Sequence, residues 1–135
     1  MEEITLASGE NSFQTARVEK NDKTIDYETN KDLSYIQFLS LAKGLDLISE
    51  FYDVKACCSV KGSGICAAAL GQSLADAVQK VMDSNPIDFM FSTVVMSSEV
   101  DSETARFFKD TNLIAAPSFT KNAKEILDTF IFQEQ

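Results

Sequence analysis

The run Ile87-Asp88-Phe89-Met90-Phe91-Ser92-Thr93-Val94-Val95-Met96 constrains this chain more than any other segment. Beyond Asp88 it is apolar on both faces and rich in β-branched and aromatic residues, which predicts a strand covered on both sides at the centre of a sheet. Asn85-Pro86 marks the break before it. A central strand needs neighbours. Val54, Ala56, Cys58 and Val60 alternate with Lys55, Cys57, Ser59 and Lys61, the period-two pattern of a strand, and Lys61-Gly62-Ser63-Gly64 then turns the chain. Ile65 to Leu70 reads as the return strand of a hairpin. Run backward through these residues, the next helix would put Ile65 on its polar side with Gln72, and Gly71 would interrupt it. Ser73, three residues before Asp76, offers a fresh N-terminus for a helix from about Ser73 to Met82.

On the N-terminal side, Glu3 to Ala7 alternates polar and apolar residues before a Ser8-Gly9 turn. Phe13 to Glu19 alternates again, and Asn21-Asp22 leads into Thr24 to Glu28, predicting an antiparallel hairpin between these two segments. Asn30 or Asp32 can cap a helix carrying Leu33, Ile36, Leu39 and Ala42, with Gly44 placed to end it and a further short helical stretch from Leu45 to Tyr52. On the C-terminal side, Asp101 or Ser102 can cap a helix through Ala105, Phe107 and Phe108 that stops near Asn112. Leu113 to Ala116 reads as a short strand. Thr120 caps a final helix carrying Ala123, Ile126, Leu127 and Phe130, fraying near Gln133. One domain over residues 1–135 is the expectation, of the α+β class: a largely antiparallel sheet with helices packed on one face. A three-layer α/β arrangement is the alternative, since so apolar a central strand suits a sheet covered on both faces.

Composition narrows the functional classes. With 21 acidic and 12 basic residues, no histidine and a net charge of −9, the chain's long-range field disfavours nucleic-acid phosphates and anionic lipid. A basic protein partner is the expectation, with no direct nucleic-acid or membrane contact and the oligomeric state left open. The longest apolar stretches fall far short of the roughly 20 residues a membrane helix needs. Met1-Glu2-Glu3 shows neither the basic nor the apolar region of a targeting peptide, and three cysteines including an adjacent pair make a poor disulfide framework. A cytoplasmic location with reduced thiols follows as an expectation.

Without histidine, Ser-His-Asp and Cys-His arrangements are excluded. Lys55 or Lys61 could lower a thiol pKa among Cys57, Cys58 and Cys66, but free cysteines in an alternating strand read first as small buried hydrophobes. No catalytic residue is assigned. Three cysteines without a C-x-x-C pair do not make a closed zinc site, so no metal and no cofactor is expected. Lys61, Gly62, Ser63 and Gly64 could bind an anion through backbone amides, although they lack the spacing of a P-loop or dinucleotide fingerprint. Glu99, Asp101 and Glu103 follow the central strand. In an extended segment their alternate spacing points three carboxylates one way, which suits a partner-binding face. The function expected from these features is a small acidic inhibitor or immunity-type protein that engages a basic toxin, nuclease or nucleic-acid enzyme through that face. A non-enzymatic assembly subunit is the alternative and a metal-dependent or thiol enzyme the third, so the chain reads more as a binder than as an enzyme.

Overall fold

In the computed structural model, the described residues are 3–5, 17–19, 27–29, 33–51, 53–62, 64–108, 113–127 and 129–133. Their strands form two sheets. β1 (Glu3–Thr5) and β2 (Arg17–Glu19) pair antiparallel, with Ile4 opposite Val18. The main sheet has six strands in the order β3 (Tyr27–Thr29), β8 (Thr129–Gln133), β7 (Leu113–Ala116), β6 (Thr93–Met96), β4 (Lys55–Lys61) and β5 (Gly64–Gly71). β6, β7 and β8 run parallel to one another, whereas the β3–β8, β4–β6 and β4–β5 pairs are antiparallel.

Alternate residues of these strands enter two separate cores. Cys57, Val94, Met96, Ile114, Ala116 and Phe130 pack with Leu74, Ala77, Val78 and Val81 of α2 (Leu74–Ser84) on one face. Ala56, Cys58, Val60, Val95, Leu113, Ala115 and Ile131 pack with Leu41 and Ile48 of α1 (Tyr35–Ile48) on the other. The mixed class is therefore as expected, and its layering is that of the three-layer alternative. β6 and β7 are buried at all four positions each, and inner strands buried on both faces require a sheet covered on both sides.

The β4–β5 hairpin, the strand over Leu113 to Ala116 and the helix starting after Ser73 stand where the sequence places them. The Ser73 side chain accepts from the Asp76 backbone N–H at 3.1 Å, and the Thr120 side chain caps α5 (Lys121–Ile126) through Ala123 N–H. Other expectations are corrected. Among the described residues the N-terminal hairpin does not occur: β2 pairs with β1, and β3 joins the edge of the main sheet beside β8, while residues 13–16 and 20–26 of the expected hairpin lie outside the described residues. Ser34, not Asn30 or Asp32, caps α1, in a reciprocal box in which Gln37 N–H donates to Ser34 Oγ and Ser34 N–H to Gln37 Oε1. The helix runs through Gly44 to Ile48 and ends in a 3-10 turn, Ser49–Phe51.

Only the second half of the 87–96 run is a strand. Pro86 takes the first position of a short helix, α3 (Pro86–Phe89), where its fixed φ suits the helix and its missing N–H costs nothing. Phe89 turns inward, its ring 5.8 Å from that of Phe108, while Ile87 is 77% exposed. β6 itself is interior, as expected of the central strand. α4 is short, Ser102–Ala105, with Asp101 as its cap; the expected stop near Asn112 lies outside the described residues. The final helix ends at Ile126, and Phe130 belongs to β8 instead. Thr129-Phe130-Ile131 is β-branched and aromatic, and as a strand beside β7 it sends Phe130 to one core and Ile131 to the other. Among the described residues, no helix is long and apolar enough to cross a membrane.

Candidate functional site

Lys61 ends β4, and the two-residue connection to β5 begins at Gly62, whose φ of +61° lies in the left-handed region that glycine enters without strain. Ser63 lies outside the described residues. The tip is tied down from α1, where buried Ser40 Oγ donates to the Gly62 carbonyl at 2.8 Å. Lys61 and Gly64 face each other in the register, so the structure brings the described members of the anion-binding candidate to one place, as a hairpin tip. No helix begins at Gly64, so no helix dipole adds to their backbone amides.

Two neighbours of Lys61 were not legible in the sequence. Its Nζ lies 3.3 Å from Asp88 Oδ1 and 5.9 Å from the centre of the Phe91 ring. Asp88 is steadied in turn by Asn85 Nδ2, which donates to Oδ2 at 2.8 Å. Both residues come from the segment read as strand, and only the turn through α3 carries them to the hairpin tip. Phe91, Met90, Ile87 and Ile65 are exposed apolar residues, and of these Phe91 presents its ring to the ammonium. The group can offer an anion one cation, shared with a carboxylate, and offer a planar ring an aromatic face.

The acidic candidates do not share one extended segment. Glu99 and Asp101 flank Val100 in an extended stretch held by Val100 N–H to the Ser118 carbonyl and Thr120 N–H to the Val100 carbonyl, whereas Glu103 sits in the first turn of α4. Period-two spacing therefore ends at Asp101. Glu99 accepts from Ser118 Oγ at 3.0 Å, and Asp101 accepts from the Thr104 backbone N–H at 2.9 Å. That backbone bond holds the Asp101 carboxyl below the usual range. Among the described residues, no cluster of Cys, Asp and Glu could hold a metal ion.

Cys57 and Cys58 point to opposite cores. Burial, and then the neighbouring Cys58, pushes the Cys57 thiol up; burial pushes Cys58 up to about 12, against a smaller opposing pull from a Val95 backbone hydrogen bond. Neither thiol is poised as a thiolate. Cys66, on the edge strand β5, is half-buried.

Comparison with known proteins adds what this geometry does not. The family model described as AICARFT/IMPCHase bienzyme matches residues 1–130. A bifunctional purine biosynthesis protein PurH from Fusobacterium nucleatum is 34% identical over 132 residues, covering 92% of this chain and 26% of its own. The proteins of the same name from Caldicellulosiruptor saccharolyticus and Petrotoga mobilis are each 32% identical, over 73% and 88% of this chain and 20% and 25% of theirs. The chain thus spans about a quarter of the length of the curated relatives it matches. These matches overturn the inhibitor or immunity-type expectation, its assembly-subunit alternative and the leaning away from an enzyme. Charge and a missing histidine describe the field around a chain and the bases it lacks; they do not identify a function. The chain belongs to the AICARFT/IMPCHase bienzyme family.

Proposed function

We propose that this chain works in purine biosynthesis in the cytoplasm, as one folded part of an enzyme of the AICAR transformylase/IMP cyclohydrolase type. The observation that carries the reading is the extent of the family match, residues 1–130, which takes in nearly the whole chain and not a short motif. Both ribonucleotides in that enzyme name bear a phosphate and a flat heterocycle. A phosphate approaching a chain of net charge −9 needs a locally placed cation. Lys61 at the hairpin tip is such a cation, and Phe91 beside it presents a ring face to a flat heterocycle. In this reading the arriving phosphate displaces Asp88 from Lys61, and the exchange of one anion for another keeps the ammonium paired.

Calorimetric titration with AICAR and with IMP tests it, alongside assays of formyl transfer to AICAR and of IMP ring closure. Saturable binding of at least one nucleotide, weakened about tenfold by Lys61→Ala and by added salt, is the expected result. Absence of binding and of turnover with both nucleotides would overturn it.

A further inference from the structure

The face that α1 turns to the sheet buries Ser40, Leu41, Gly44 and Ile48. Ser40 is the polar one, only 2% exposed, and a hydroxyl so placed is costly unless it is hydrogen-bonded. A serine inside a helix can satisfy itself on the carbonyl one turn back. Ser40 instead donates across to the hairpin tip, to the Gly62 carbonyl at 2.8 Å, 22 residues away in sequence. Gly44 makes the reach possible. It lies one turn on from Ser40 on the same face and lets the helix settle against Val95 and Val60, which leaves the Ser40 hydroxyl within bonding distance of the tip.

This bond fixes what the backbone of the turn leaves open. The φ of +61° at Gly62 is a left-handed value common to the I′ and II′ turns of two-residue hairpins, and these differ in the face to which the carbonyl of that residue points. Val60 packs against α1, so the side chain of Lys61, next along β4, leaves from the opposite face, where Asp88 of α3 meets it. With Ser40 donating to it, the Gly62 carbonyl is held on the α1 face, away from the ammonium. Flipped, its oxygen would stand on the Lys61 face as a second acceptor beside Asp88, competing for the ammonium and repelling an incoming phosphate. We infer, on the phosphate-binding role proposed for Lys61, that Ser40 is a positioning residue for that site: it holds the Gly62 carbonyl on the far face of the hairpin, so that the ammonium meets a phosphate with no backbone acceptor in the way.

Calorimetric titration of AICAR and IMP into the wild-type chain, Ser40→Ala, Lys61→Ala and the double variant tests this. Ser40→Ala should weaken nucleotide binding about three- to tenfold, the worth of one hydrogen bond, and should weaken it no further once Lys61 is already Ala. Ser34→Ala, which removes the cap of the same helix and leaves the Ser40 bond in place, should not change the affinity. An unchanged affinity in Ser40→Ala beside a loss in Lys61→Ala overturns the inference and leaves the Lys61 site standing, as does an equal loss from Ser40→Ala in both backgrounds. Binding of neither nucleotide to the wild-type chain removes the Lys61 site itself, and the role of Ser40 with it. If Ser40→Ala does not fold, the carbonyl-carbon chemical shift of Gly62 in the wild-type chain decides. It should keep its hydrogen-bonded value through saturation with nucleotide, and movement to the unbonded value would overturn the inference.

Discussion

Gly44 of α1 lies directly against Val95 of β6: a Cβ at position 44 would collide with Val95 Cγ2 and stand 3.3 Å from Val60 Cγ2. The helix crosses the sheet at this glycine because no larger residue lets the two backbones approach so closely. In an exposed helix interior, Gly→Ala would stabilise by about 1 kcal/mol. Here overpacking is expected to win, and Gly44→Ala should destabilise the fold by about 1–3 kcal/mol in urea denaturation. A more stable variant would show that α1 does not pack against β6 at this point.

Ser73→Ala and Asp101→Ala each remove a helix cap and should cost about 1 kcal/mol, whereas Asp101→Asn keeps a capping acceptor and should cost a few tenths. Urea midpoints at neutral pH read all three. Equal losses for Asp101→Asn and Asp101→Ala would mean that charge, not the capping bond, is what position 101 contributes.

The Asp101 and Asp76 carboxyls both lie below their ordinary value of 3.8, chiefly through backbone N–H bonds from Thr104 and Gln72 respectively. A lowered folded pKa stabilises the fold above the unfolded value, and that contribution is lost as the pH falls through the folded one. Stability should therefore decline from about pH 4 downward, less steeply in the Asp101→Asn, Asp76→Asn double variant. An unchanged slope in that variant would remove both residues from the acid response.

For the buried thiols the sign is reversed. With Cys58 pushed up to about 12, ionisation favours the unfolded chain once the pH exceeds the ordinary thiol value of 9.0. The stability held below that value is lost progressively as the pH rises toward the folded pKa. A soluble disulfide reagent should label Cys66 in the folded protein and reach Cys57 and Cys58 only on unfolding. Rapid labelling of Cys57 in the native state would contradict its placement.

Sequence patterning was most legible where one periodicity prevailed. Residues 54–71 announce a hairpin because alternation and the Lys61–Gly64 turn agree, and Ser73 and Thr120 announce helix starts because a hydroxyl three residues before a free N–H has one common use. It misled where a short apolar run fits two periods. Phe130 lies at helical spacing from Ala123 and Leu127, yet it belongs to a strand, since parallel pairing with β7 is a tertiary contact that local spacing does not carry. Ile87 to Phe91 misled for the same reason. Pro86 is compatible with a helix start as well as with a break, and the choice rests on Phe89 reaching Phe108. The site depends on this directly, since Asp88 and Phe91 approach Lys61 through a helical turn whose residues carry a strand-like pattern.

On the proposed reading, the hairpin tip at Lys61 receives the phosphate of a purine-pathway ribonucleotide. Amide chemical shifts of the isotopically labelled chain, followed through titrations with AICAR and IMP, test it most directly. Saturable shifts concentrated at Lys61, Gly62, Gly64 and Phe91 are the expected result, together with their loss in Lys61→Ala. Shifts confined to the Glu99–Asp101 segment, or none with either nucleotide, would contradict it.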